Sequence, residues 1–173
     1  MGHIMKISGF ALSSFLFAIA PFLSGGAALA DDIHMAQTRF GLADGSDNVL
    51  KVNGHLTTPE IDGNSGMFVE KITQTADADY LLLTDVGGTA CPALFSIVKV
   101  TGTSATPMAW FGNCDDEPQR AIVPGKSVTL TFPAFRPLRF KSTPAATYVY
   151  DIPTGVLKKD GKAVPTACKG KCE

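Results

Sequence analysis

Four cysteines, Cys91, Cys114, Cys168 and Cys172, and two histidines beyond the first thirty residues, His34 and His55, are the side chains best suited to nucleophilic or metal chemistry. A cysteine nucleophile needs a free thiol and a nearby base that lowers its pKa. The approach Gly87-Gly88-Thr89-Ala90-Cys91 could offer backbone donors to an oxyanion, but an even cysteine count favours disulfides in an exported chain. The tail Cys168-Lys169-Gly170-Lys171-Cys172 has three intervening residues, so it lacks the spacing of thioredoxin-like and c-type haem sites. His34-Met35 with Asp31 and Asp32 is a copper- or nickel-type ligand set. A square-planar amino-terminal site wants its histidine third, however, and the processing expected below makes His34 fourth. His55 follows a turn and reads as a surface histidine.

The acidic stretches Asp44-Gly45-Ser46-Asp47-Asn48 and Asp115-Asp116-Glu117 do not match a calcium-loop pattern, so both read as solvated turns. No nucleophile elbow, P-loop or dinucleotide fingerprint is present. No catalytic residue, metal site or cofactor is therefore expected, and the chain reads as a non-enzyme. Its net charge of −1 across 173 residues, without a long block of like charge, disfavours nucleic acid as a partner.

The first thirty residues resemble a secretory signal. Lys6 supplies the basic start, 10–20 the apolar stretch, and Ala28-Leu29-Ala30 the small residues before a cut. Pro21 and Ser24-Gly25-Gly26 end the apolar stretch well short of the roughly 20 residues that a membrane span requires. Cleavage after Ala30 is expected, with no membrane insertion afterwards. Residues 1–4 precede a more natural start at Met5-Lys6 and read as vector-derived. The remainder, 31–173, is expected to form one β domain with a short disulfide-bearing tail, located in the periplasm or secreted.

Export changes the meaning of the cysteines. Three pairings of four cysteines are possible. Cys91–Cys114 with Cys168–Cys172 is favoured because the first pair brackets a hairpin and the second lies in a short tail. Closing the longer loop contributes about 3 kcal/mol on the chain-entropy picture.

The elements around these residues are short β-type runs punctuated by Gly, Pro, Asn and Asp. Ser127 to Phe132 alternates cleanly, with Val128, Leu130 and Phe132 on one face, as in a half-buried strand. Leu94 to Val100 is apolar nearly throughout and reads as a central strand buried on both faces. Asn53-Gly54 and Asp160-Gly161 mark hairpin turns. A short helical turn is the expectation within Asp31 to Arg39. The fold class is all-β: a single-domain antiparallel β-sandwich or small barrel, with two packed sheets and a core including Leu82, Phe95, Ile97, Val98, Trp110, Val128, Leu130, Phe132 and Tyr148.

Pro133, Pro137 and Pro144 prevent a long strand after Phe132. The intervening Phe135-Arg136-Pro137-Leu138-Arg139-Phe140 either folds its two aromatics back into the core or presents a contact surface. Aromatic and Arg side chains dominate binding hot spots, so Phe135, Arg136, Arg139 and Phe140 form the candidate binding surface, with another protein as partner.

The segments Gly87-Gly88-Thr89-Ala90-Cys91-Pro92-Ala93 and Phe111-Gly112-Asn113-Cys114 resemble a cysteine pattern of small exported bacterial β-proteins. That resemblance implies compartment and disulfide pairing, and no activity. The function expected is that of an exported binding protein of the inhibitor or immunity type. The alternatives are an envelope-associated accessory protein or antigen, and a thiol- or metal-dependent protein of the same compartment.

Overall fold

The computed structural model describes Gly2 and residues 32–137, 139–168 and 170–172. The expected export segment therefore lies, apart from Gly2, outside the described residues. Everything below belongs to the unit Asp31–Glu173. The described residues contain strands, turns and bends but no helix.

The chain is an all-β protein built as an antiparallel β-sandwich, with more layers than the two expected. Its N-terminal sheet joins β1 (Met35–Thr38), β2 (Gly41–Asp44), β3 (Lys51–Val52) and β4 (His55–Leu56) in sequence order. β5 (Glu60–Ile61) stands apart. The central sheet has the order β10-β8-β7-β6, formed by β6 (Gly66–Gln74), β7 (Asp79–Val86), β8 (Ala93–Val100) and β10 (Phe111–Cys114); β9 (Ala105–Pro107) also pairs with β8. The C-terminal sheet runs through β11 (Gln119–Val123), β12 (Ser127–Phe132), β13 (Ala146–Asp151), β14 (Val156–Lys159) and β15 (Lys162–Ala163). Finally, β16 (Lys171–Cys172) lies parallel to β5.

Side-chain alternation explains why the central sheet is covered twice. On β7, Leu82 faces one core while Leu81 and Leu83 face the other. On β8, Phe95 and Ile97 join Leu82, whereas Val98 and Val100 join Leu81. A strand with apolar residues at both parities must be buried on both faces, as the run from Leu94 suggested. The first core lies against Val128, Leu130 and Phe132 of β12 and Tyr148 and Tyr150 of β13. Its aromatic centre is tight, with Phe95 and Phe132 ring centroids 5.3 Å apart and Phe132 and Tyr148 5.6 Å apart, both edge-to-face. The second core packs Met67 and Val69 of β6 against Ala43, Leu50 and Ile61, with Ala36, Phe40 and Val52 at its margin.

Two details differ from expectation. Met35–Thr38 is a strand rather than a helical turn. Its register with Gly41–Asp44 buries Thr38, and the following Arg39 reaches across to the β6–β7 turn. Trp110, expected in the core, sits half-buried at the margin of the second core, where its indole N–H donates to the Asp62 carbonyl at 3.1 Å. The other core residues named from the sequence are buried. At the expected Asn53-Gly54 turn both residues take positive φ, 52° and 78°. That is the handedness a two-residue hairpin needs to follow the strand twist.

Candidate binding site

The first core leads directly into the candidate surface. β12 ends at Phe132, whose ring is locked in the core, and Pro133 then stops the strand by removing a backbone donor. The chain makes a surface excursion and re-enters at Ala146, the first residue of β13. One side chain holds both ends of this excursion. Asn113 on β10 is buried, and its Nδ2 donates to the Pro133 carbonyl at 2.6 Å and to the Pro144 carbonyl at 3.0 Å. Thr143 adds a second tie, donating from Oγ1 to the Asn113 carbonyl at 2.5 Å and from its backbone N–H to the Phe135 carbonyl at 3.0 Å. The two ends of the 133–144 loop are thus brought together, as in loops of the Ω type.

Phe135, Pro137, Arg139 and Phe140, with Thr89 from the loop before Cys91, line a cleft of about 430 Å³. Phe140 is 49% exposed and Phe135 is half-buried. Neither ring belongs to the two cores. Arg136 is exposed but does not line the cleft. Arg136, Arg139 and Lys141 give the loop positive charge, and 133–145 contains no acidic residue.

The four cysteines form Cys91–Cys114, with Cα atoms 4.6 Å apart, and Cys168–Cys172, with Cα atoms 4.8 Å apart. The first ties Cys91, two residues before β8 and two after the cleft residue Thr89, to Cys114 at the end of β10. Between Phe111 and Cys114 the pairing with β8 shifts register. The extra residue is absorbed by Gly112 at φ 143° and Cys114 at φ 75°. A side chain rarely adopts the Gly112 conformation, so glycine is required there. The resulting bulge turns Asn113 inward toward the loop it holds. The second disulfide closes the tail, where Cys172 is fully buried in the second core and β16 adds to β5. Two disulfides are the mark of an oxidising, extracytoplasmic environment. None of the four thiols is free.

The other residues singled out by type are occupied locally. His34 Nδ1 donates to the Met67 carbonyl at 2.8 Å, and its ring packs against Phe68. Asp44 accepts both the Ser46 hydroxyl and the Ser46 N–H, which hold its carboxyl below the usual range. Asp115 takes the Glu117 N–H and gives its own N–H to Asn113 Oδ1. These are turn-closing contacts. Exposed His55 follows the Asn53-Gly54 turn.

Two carboxylates have the more perturbed surroundings. Burial pushes the Asp79 carboxyl upward, but the Arg39 N–H, the Lys71 ammonium and the Arg39 guanidinium together outweigh it and leave the group below its ordinary value. Arg39 also donates to the Thr75 and Ala78 carbonyls, fastening the β6–β7 turn to the N-terminal sheet. Asp85 is shifted the other way, raised by burial despite accepting the Asn64 N–H at 2.6 Å, with Asp62 adding to the rise.

Sequence reasoning found the loop from its aromatic and Arg content but missed Asn113 as its anchor. That anchor depends on contacts 20 and 31 residues away. It also missed a second cavity at the end of the first core, around Tyr150. Comparison with family models, with curated proteins and with solved structures finds no match to this chain.

Proposed function

We propose that this protein works in the periplasm, or after secretion, as a non-enzymatic binding protein of the inhibitor or immunity type. It engages another protein through the 133–144 loop. The observation carrying this reading is the loop held at both ends by Asn113 while Arg139 and Phe140 stand out around an apolar cleft. Arg and aromatic side chains supply most of the energy of protein interfaces. A loop ordered before contact loses less freedom on binding. The Cys91–Cys114 disulfide, two residues after the cleft residue Thr89, stiffens the same region.

The test uses the disulfide-intact chain as bait against the extracytoplasmic fraction of its source cells, beside an Arg139→Ala/Phe140→Ala variant. A protein retained by the parent and reduced at least tenfold by the variant supports the reading. Equal capture by both, or no retained protein, refutes it.

One observation favours the accessory-protein alternative. β11 is the outer strand of the C-terminal sheet, all five of its residues are exposed, and Ile122 and Val123 are 37% and 47% exposed. Such an edge can accept a further strand. Placing proline at Ala121 would then abolish partner capture, where the loop variant would not.

A further inference from the structure

The closed first core is overlain by a surface depression beside Ile97, Met108 and Tyr150. A cavity of about 520 Å³ lies there, lined by Ile97, Lys99, Met108 and Tyr150, with Thr166 and Cys168 of the tail on its rim. Strand alternation explains its chemistry. Phe95 and Ile97 point into the core, and the next residue of that parity on β8 is Lys99. Lys99 is in register with Tyr80 on one side and Thr106 on the other, and the Tyr80 ring lies 6.2 Å from that of Tyr150. A cation thus occupies the position where the apolar face ends. Lys99 is half-buried and makes no ion pair among the described residues. Asp77, which feels the Lys99 charge, is exposed and accepts the Thr75 hydroxyl.

Tyr150 is the second unusual group. The residue is only 5% exposed, but its hydroxyl oxygen is open to solvent rather than sealed in the core, and no hydrogen bond joins it to a described residue. The contrast is Tyr148 on the same strand, whose hydroxyl donates to the Gly112 carbonyl at 3.0 Å. The Tyr150 hydroxyl instead lies at the cavity wall beside Gly155, where an added Cβ would come within 3.9 Å of it. Burial, with smaller contributions from Tyr80 and Asp151, pushes this phenol up to about 12, so at neutral pH it is a hydrogen-bond donor.

We propose that this cavity is a binding site for an apolar monocarboxylate, a molecule of the fatty-acid kind. The Lys99 ammonium and the Tyr150 hydroxyl receive its carboxylate, while Ile97 and Met108 cover its chain. A volume of several hundred Å³, mostly apolar walls and a few convergent polar groups are the ordinary form of a small-molecule site. Methionine suits a chain of variable shape because its side chain adapts. The site shares no residue with the 133–144 cleft, so either can fail without the other.

Titration of decanoate, below its micelle concentration, into the disulfide-intact full chain tests the proposal by calorimetry. Amide shifts at Ile97 and Thr166 locate the ligand, and decanol serves as the uncharged comparison. The expected result is saturable 1:1 binding, weakened roughly tenfold by Tyr150→Phe and by Lys99→Gln, since hydrogen bonds to a charged group are the stronger kind. Decanol should bind more weakly and be indifferent to Lys99→Gln. Absence of saturable decanoate binding, or binding that both variants leave intact, overturns the proposal. Lys99 is half-exposed and its variant retains the core, so it decides the matter should Tyr150→Phe fail to fold.

Discussion

Replacing Asn113 by Ala tests whether one amide holds the loop. The change removes two donors, those to the Pro133 and Pro144 carbonyls, and the Oδ1 that accepts the Asp115 N–H. Each neutral hydrogen bond contributes about 1 kcal/mol net, and a buried group left unpaired adds about 1–3 kcal/mol. Pro133 and Pro144 are exposed, so water can replace the lost donors at their carbonyls and the second cost stays small. The expected loss is about 2–3 kcal/mol, measured by urea unfolding with both disulfides intact. The same variant should lose exchange protection at the Thr143 amide, whose partner is the Phe135 carbonyl across the loop. Asn113→Asp sharpens the test. One carboxylate oxygen would keep the Asp115 N–H, but the other would face two carbonyl oxygens in a buried position, and the repulsion and burial together should raise its folded pKa above the unfolded value. Stability would then be lowest at neutral pH and partly recovered as pH falls through that raised pKa, because the neutral acid donates to one carbonyl. A loss under 0.5 kcal/mol in Asn113→Ala, with Thr143 still protected, would refute the anchor.

Asp79 should dominate the acid limb of stability. Its folded pKa is held below the unfolded value of about 3.9, so its contribution is complete above that value and is lost as pH falls through the lower folded one. Asp79→Asn should cost about 2 kcal/mol at pH 7, below the usual figure for a broken buried pair because Arg39 and Lys71 are partly exposed, and should flatten the acid limb of a melting-temperature profile. Asp85 has the opposite sign. Its raised pKa favours the fold below the unfolded value, and that advantage disappears as pH rises through the folded one. Asp85→Asn, which can still accept the Asn64 N–H, should leave the pH 7 melting temperature equal or higher. Replacing both Cys91 and Cys114 by Ser should cost about 3 kcal/mol in thermal or urea unfolding, against about 2 kcal/mol for Cys168 and Cys172, whose loop is much shorter.

Strands with strong alternation or a continuous apolar run were legible in the sequence. The burial of β12 follows the Ser127 to Phe132 pattern residue by residue, and β8 is buried on both faces as its composition implied. The N-terminal sheet was harder to read. Met35–Thr38 has no clear period, and its strand character comes from pairing with Gly41–Asp44 and from Arg39 fastened to Asp79, contacts no local window contains. Trp110 was drawn to the rim of the second core by its indole N–H, which needs an acceptor wherever the ring is buried. At the candidate site, Phe135, Arg139 and Phe140 declared themselves by residue type. Asn113 did not, because a lone Asn before a Cys has no signature until the fold brings two distant carbonyls to it. Tyr150 was hidden for the opposite reason: it shares parity with Tyr148, and only the fold separates a phenol with a partner from one facing a cavity.

The shared wall between the two cores also governs how the protein can come apart. Leu82 belongs to one core, and Leu81 and Leu83, its immediate neighbours, belong to the other. Displacing β7 by even one residue would exchange these sets and ruin both packings together. Neither half of the molecule has a separate melting route through this strand. Half-open forms that would expose one apolar face of the central sheet should therefore be scarce. Amide exchange along β7 should proceed only through global opening, at a free energy equal to that of complete unfolding.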